Sequence, residues 1–336
     1  MKAAIYPGKG QPIAIENLPD PRPGPGEVLI KVHRCGVCGT DLSFTRGAMF
    51  DFGPGQLGHE YAGEILEVGR EVEGLKVGGR IAVMPSVACG VCAPCKAHGN
   101  SVLCETKPGS AMKGFAEFAV VPAGVATPLP QTLSMADGAL IEPLAISLYG
   151  VELARIRPGD RVLVLGGGTV ALYAIYWARR LGAGRIVALS RSARRKDLAL
   201  AMGADAFLTY GETEIPEARE ALGGAPEVVL EGVGAEGMLS KAVMHAGTFG
   251  RVVSLGFCTS PDALIPGIAA YKCVSIQFAV GYSMREFHYI AGQMDKGHCD
   301  PKAIITDAQP LQALPAVFDR LRGPNTDTKV HIRMDL

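Results

Sequence analysis

The chain of 336 residues has no net charge, because 33 Lys and Arg balance 33 Asp and Glu. That balance removes the electrostatic case for a nucleic-acid partner. Tryptophan occurs once, aromatics make up 6% of the chain, and no unbroken apolar run is long enough to span a bilayer. The start, Met1-Lys2-Ala3-Ala4-Ile5, lacks the apolar core and cleavage site of a secretory signal and reads directly as a strand. A cytoplasmic protein with no membrane partner is the expectation, and a reducing compartment disfavours disulfides. Hydrophobic residues reach 48% against 20% charged, enough for a sizeable core. The length suits two domains, and 43 Gly with 23 Pro point to many tight turns.

The first third holds short β-branched runs bounded by Gly and Pro: Val28 to Val32, Ala62 to Val68, Arg80 to Pro85 and Ala116 to Val121. Pro19, Pro21, Pro23 and Pro25 read as an extended connector ahead of the second strand. From Ser134 to Ile156 apolar residues recur at helical spacing. Strands and helices then alternate: strand Arg161 to Leu165, helix Thr169 to Leu181, strand Arg185 to Leu189 and helix Ala193 to Met202. Strands at Ala206 to Thr209 and Glu227 to Leu230 follow, then helix Ala235 to His245 and strands Gly250 to Leu255 and Val274 to Phe278. This order predicts a doubly wound parallel sheet, an α/β architecture. Beyond Met284 the reading is a helix, a Pro-containing loop, a helix and a last strand, Lys329 to Arg333, returning to the first domain. No internal repeat is visible.

Four cysteines, Cys89, Cys92, Cys95 and Cys104, fall within sixteen residues. Thiolates at this spacing wrap a tetrahedral zinc, and four protein ligands close the site, so such a metal stiffens a lobe and does no chemistry. His98 is surplus to that count. A second set is Cys38, between glycines after a strand, His59 with Glu60 beside it, and Glu142 at a helix start. A buried carboxylate at Glu142 is costly unless it serves a charge. Three protein ligands with one open position is the catalytic pattern for zinc.

The stretch Gly36-Val37-Cys38-Gly39-Thr40-Asp41, the triplet Gly58-His59-Glu60, the four-cysteine lobe and Glu142-Pro143 occur in the order that resembles the medium-chain zinc-dependent alcohol and polyol dehydrogenases. The resemblance covers essentially the whole chain. It implies a GroES-like, mainly β catalytic domain over 1–145 with the zinc lobe at 85–108. A Rossmann domain over 146–284 and a return to the catalytic domain over 285–336 complete the implied organisation. It also implies two zinc ions per chain, with Cys38 and His59 as catalytic ligands and Glu60 or Glu142 binding directly or through water. Cys35 is then a packed bystander. Relatives often carry a His three residues after the Thr, where this chain has Ser43.

Strand Val162 to Leu165 runs into Gly166-Gly167-Gly168-Thr169-Val170-Ala171 and a helix, a G-x-G-x-x-A form of the dinucleotide fingerprint. Glycines permit the tight turn, and the helix N-terminus faces the pyrophosphate. At the end of the second strand an NAD site keeps an acid for the ribose hydroxyls. Here stand Ser190 and Arg191, with Arg195 beyond, and no carboxylate comes before Asp197. Guanidinium groups match a 2′-phosphate, so NADP is expected over NAD. Val233, Gly256 and Phe278, at later strand ends, are candidate walls for the nicotinamide half.

The expected reaction interconverts an alcohol and its ketone or aldehyde, zinc lowering the pKa of the alcohol while hydride passes to or from the cofactor. Thr40 and Ser43 are the candidate proton path. Met49, Phe50 and Phe52, with walls from Ile141 to Ser147, suggest a hydrophobic secondary alcohol. An NAD-dependent polyol or amino-alcohol dehydrogenase, like sorbitol or threonine dehydrogenase, is the alternative, and a catalytically idle binding relative a more distant one. The open edge at Val274 to Phe278 points to a homo-oligomer, and the resemblance implies a homodimer or homotetramer.

Overall fold

The computed structural model describes residues 1–8, 10–47, 53–106, 109–298 and 300–334. The chain divides into two units, one of Met1–Glu142 with Tyr282–Leu336 and one of Pro143–Gly281.

In the first unit a seven-stranded sheet runs in the order Ala126–Pro128, Arg80–Val83, Glu60–Val68, Glu27–Gly36, Lys329–Arg333 and Ile305–Pro310, with Phe118–Pro122 also paired to Glu27–Gly36. Period-two alternation shapes the central strand: Val28, Ile30 and Val32 are fully buried while Lys31 faces solvent. The late strand Lys329–Arg333 lies antiparallel to Glu27–Gly36, so His331 pairs with Gly36, which pairs with Glu60 on its other side. This row carries residues distant in sequence to one place.

The second unit is a six-stranded sheet in the order Ala206–Thr209, Arg185–Ser190, Arg161–Leu165, Val228–Glu231, Arg251–Ser254 and Ser275–Phe278. Every neighbouring pair is parallel. Val162 to Leu165, Ile186 to Leu189 and Val228 to Leu230 are buried without alternation, as a parallel sheet covered on both faces requires. The helix Thr169–Arg180 buries Ala171, Leu172, Ala174, Ile175 and Ala178 and ends on Arg179 and Arg180, which suit the carbonyl end of its dipole. Truncating a buried Leu here, such as Leu163, would cost about 2–5 kcal/mol. The α/β class expected from the sequence is the one found.

Several elements differ from the expectation. The helix expected over Ser134 to Ile156 is two, Met135–Ala139 and Ile141–Leu153. Pro143 has no N–H to give the carbonyl of Ala139, so the ladder breaks and restarts. The expected helix Ala193 to Met202 opens as a 3-10 turn, Ala193–Arg195, before the α-helix Lys196–Ala201. The expected helix from Ala235 begins at Met238, because Gly237 stands at φ 81°. Helices Glu214–Leu222 and Pro266–Tyr271 and strands Ala14–Asn17 and Ile305–Pro310 were not expected. The proline connector therefore precedes the third strand. In the Pro-containing loop of the tail, Pro310 ends a strand.

Candidate metal and dinucleotide sites

Cys38 caps the helix Gly39–Thr45: its Sγ accepts from Thr40 N at 3.4 Å, and Asp41 Oδ2 accepts from Cys38 N at 3.1 Å. The capping box fixes Cys38 and also aims Asp41 inward. Asp41 is fully buried with Oδ1 3.2 Å from His59 Nδ1. A carboxylate there favours hydrogen on Nδ1 and leaves Nε2 as the ligand nitrogen. His59 follows Gly58, whose φ of 92° and close neighbours admit no side chain: a Cβ would meet Phe115 N at 2.6 Å and Cys35 Sγ at 2.9 Å. Cys35 itself is buried in that packing.

Glu60 opens its strand opposite Gly36, where a Cβ would strike Glu60 Oε2 at 2.1 Å. The missing side chain lets the carboxylate reach Lys329, whose Nζ lies 2.7 and 2.5 Å from its two oxygens and donates to Val37 O at 3.1 Å. Both partners of this ion pair are buried. Glu142 accepts from Tyr282 Oη at 2.5 Å. Burial pushes the Glu142 carboxyl up to about 7, a shift that the neighbouring Glu60 reinforces and His59 opposes.

Ligand atoms of Cys38, His59 and Glu60 lie within 4.8 Å of one another. One sulfur, one imidazole nitrogen and a carboxylate, with a fully buried acid behind the imidazole, fit zinc with room for one more ligand. The structure does not bring Glu142 into that trio, but it is close enough for His59 and Glu60 to shift its pKa. Thr40 and Ser43, three apart on the same helix, lie on one face of it, both half-buried.

In the lobe the sulfurs of Cys89, Cys92, Cys95 and Cys104 also lie within 4.8 Å of one another. Gly99, at φ 62°, ends the short helix Ala93–His98 and turns the chain toward Cys104. Hydrogen bonds from Thr106 and from the Cys92 and Val91 backbone hold Cys89 down at about 5. Cys95 is pushed up to about 12, first by its contact with Cys92 and then by burial. Four clustered thiols cannot all ionise without a cation among them, which is the electrostatic signature of a metal knot. His98 is exposed.

In the second unit the strand Arg161–Leu165 turns at Gly166, φ 116°, packed against Val233 and Ala171. Gly168 caps the helix Thr169–Arg180 with no side-chain cap bond, and a Cβ on it would meet nothing within 4 Å. The N-terminal turn of this helix, which opens with Thr169 and Val170, is the position at which this fold takes a pyrophosphate. At the neighbouring strand end Arg195 Nη1 donates to Gly167 O at 3.2 Å, and a Cβ on Gly167 would stand 3.3 Å from Ser190 Oγ. Arg191 is exposed. Tyr210 N donates to Ser190 O at 3.0 Å, and Lys241 Nζ lies 4.4 Å from the Tyr210 ring centre. Burial, with Glu214 and Glu231 adding to it, pushes the Tyr210 hydroxyl up to about 12, against the pull of Arg191. At the later strand ends Val233 and Phe278 are 44% and 63% exposed. A recess of about 230 Å³ there is lined by Glu231, Ser254 and Phe278 among others.

Sequence reasoning passed over Asp41 as a partner, Lys329, Tyr282, Tyr210 and Glu231. Only Asp41 left a signal, three residues after Cys38 where a capping-box acid belongs. Met49, Phe50 and Phe52 lie outside the described residues. Ile141, Leu144 and Ala145 are buried, and Ser147 Oγ donates to Pro143 O at 2.8 Å. Among the described residues no helix is long and apolar enough to cross a membrane.

Residues 24–131 match the alcohol dehydrogenase GroES-like domain, and residues 169–295 match the zinc-binding dehydrogenase family. Rat sorbitol dehydrogenase is 33% identical over 339 residues, covering 96% of this chain and 93% of the relative. Among solved structures, a zinc-binding dehydrogenase of Sinorhizobium meliloti 1021 bound to NADP superposes with a TM-score of 0.88 at 29% identity, covering 99% of this chain and 98% of its own. The rspB alcohol dehydrogenase of Escherichia coli CFT073, complexed with NADH, superposes with a TM-score of 0.90 at 28% identity, covering 99% of each chain. With cysteine, histidine and carboxylate gathered at one site and a dinucleotide turn at another, the chain belongs to the zinc-dependent medium-chain dehydrogenase family, enzymes that act on alcohols with a nicotinamide cofactor.

Proposed function

We propose that this enzyme interconverts a fairly hydrophobic secondary alcohol and its ketone with NADP(H), and that each chain holds two zinc ions. The observation that carries the reading is the grouping of Cys38, His59 and Glu60, with Glu142 beside them and Thr40 two residues from the thiol. Zinc bound there would act as a Lewis acid on the substrate oxygen and make hydride transfer feasible at neutral pH. The rest falls to the chain. Asp41 holds His59 in the ligating tautomer, Thr40 accepts and passes the substrate proton, and Ser43 carries it on in place of a histidine. Cys89, Cys92, Cys95 and Cys104 hold the second ion as a structural knot.

The NADP preference rests on Ser190, Arg191 and Arg195 with Tyr210 beside them, and on the lack of a carboxylate at that strand end. An NAD-dependent polyol or amino-alcohol dehydrogenase is the second reading. It is favoured by the likeness to rat sorbitol dehydrogenase and to a structure complexed with NADH. We also propose a homo-oligomer in a reducing compartment, formed through the unpaired edge of Ser275–Phe278. Initial rates on a panel of alcohols, polyols and ketones with both cofactors test the reading. Activity confined to polyols with NAD would replace it with the alternative, and an Arg191→Asp protein should move preference toward NAD.

A further inference from the structure

The strand Val228–Glu231 ends in a carboxylate that is 2% exposed and, among the described residues, accepts from no Lys or Arg. Glu231 Oε1 accepts from Val233 N at 2.6 Å and from Gly234 N at 2.9 Å, closing the turn that leaves its own strand. Its Oε2 accepts from Ser254 Oγ at 3.0 Å, on the last residue of the neighbouring strand. The Glu231 carbonyl accepts from Leu255 N at 2.7 Å and Gly256 N at 3.0 Å. One residue therefore ties two exit turns together.

The turns are jammed backbone to backbone. A Cβ on Gly256 would meet Gly234 N at 2.1 Å and Glu231 Oε2 at 2.8 Å, and one on Gly234 would meet Phe257 N at 2.6 Å. A buried carboxylate is costly to desolvate and adds nothing apolar to a core. Its place is the carboxyl end of a parallel sheet, where ligands of this fold lie.

We propose that Glu231 is a positioning residue for the nicotinamide half of the cofactor. By clamping the turns 231–234 and 254–256 it fixes the floor that Val233 and Gly256 present, while the adenosine half rests on the separate strand end at Ser190. The proposal rests on the dinucleotide reading above.

Isothermal titration of the full-length zinc-loaded enzyme tests it. The ligands are NADPH and NADH, and two fragments without nicotinamide, adenosine 2′,5′-bisphosphate and ADP-ribose. Glu231→Met keeps the shape and removes both side-chain acceptors while leaving the backbone carbonyl in place, so dinucleotide affinity should fall about tenfold to a hundredfold while fragment affinity holds. Ser254→Ala cuts the hydroxyl's bonds to the Glu231 carboxylate and to Gly256 O but leaves the backbone links, and serves if the first variant folds poorly; its selective loss should be about threefold to tenfold. Glu231→Gln should stay near wild type, because its amide oxygen still accepts the two N–H groups and its NH₂ can donate to Ser254. Equal losses for dinucleotide and fragment, no loss at all, or a Gln variant as weak as Met would overturn the clamp. A wild-type enzyme that binds the fragments but neither dinucleotide would overturn it as well. One that binds none of the four ligands would sink the cofactor reading itself.

Discussion

Lys329 Nζ lies 2.7 and 2.5 Å from the two oxygens of Glu60, and both side chains are buried. The pair neutralises a carboxylate that stands beside the candidate zinc ligands Cys38 and His59. Removing the cation alone leaves a buried charge, so Lys329→Met should destabilise the protein by about 3–5 kcal/mol. Urea denaturation checks this, and Lys329→Arg should recover most of the loss. Wild-type stability in the Met variant would show that the carboxylate is held by something else.

Asp41 acts on His59 from behind. An Asp41→Asn protein should fold but bind its catalytic zinc about tenfold to a hundredfold more weakly, measured by chelator competition. An unchanged affinity would mean that the 3.2 Å approach does not orient the ring.

The two metals should separate by mutation. Cys38→Ser should lose one zinc per chain and essentially all turnover. Cys92→Ser should lose the other and lower the melting temperature, with activity falling only as the fold loosens. Metal analysis with activity assays on both proteins distinguishes these outcomes; full activity in the Cys38 variant would sink the mechanism.

A buried cluster in the second unit sets an acid limit on stability. His245 lies 3.2 Å from Glu214, which also pairs with Lys241. Burial holds His245 below its ordinary 6.5. The unfolded chain therefore takes up a proton first, and stability falls as pH drops below 6.5. Burial raises the Glu214 carboxyl, but hydrogen bonds from Lys241, His245 and the Gly211 N–H outweigh it and hold the pKa below 4.5. Its contribution is complete above 4.5 and is lost as pH falls through the folded value. Denaturant midpoints between pH 7.5 and 4 should therefore fall, and His245→Gln should flatten the first part of the slope.

Phe249 adopts φ 59° and is 75% exposed, so it carries left-handed strain with little burial in return. Phe249→Asn or Phe249→Gly should raise stability by about 1 kcal/mol, read as an upward shift in melting temperature. A drop would show that the ring makes a contact worth more than the strain.

The sequence made local chemistry legible. The four cysteines of the lobe sit within sixteen residues, and the glycine turn, its strand and its helix are consecutive. Partners that meet only in the folded chain left no trace: Glu60 finds Lys329 across 269 positions, from strands that flank Glu27–Gly36, and Glu142 finds Tyr282 across 140. The helix Glu214–Leu222 was hidden by Pro216 in its first turn and by a mostly charged outer face. The strand Ala14–Asn17 has no residue buried enough to show alternation.

The placement of Lys329–Arg333 also bears on how the protein is made. A chain emerging from the ribosome exposes the zinc-binding segments of the first unit before the whole of the second unit has been synthesised. Until the last strand arrives, Glu60 has no cation and the central strand Glu27–Gly36 lacks its antiparallel neighbour beyond Arg34. The sheet of the first unit can therefore be completed only after the whole of the second unit has been synthesised. A nonsense change removing that strand would leave the seven-stranded sheet without the strand between Glu27–Gly36 and Ile305–Pro310 and Glu60 without Lys329, while the residues of the second unit stay complete.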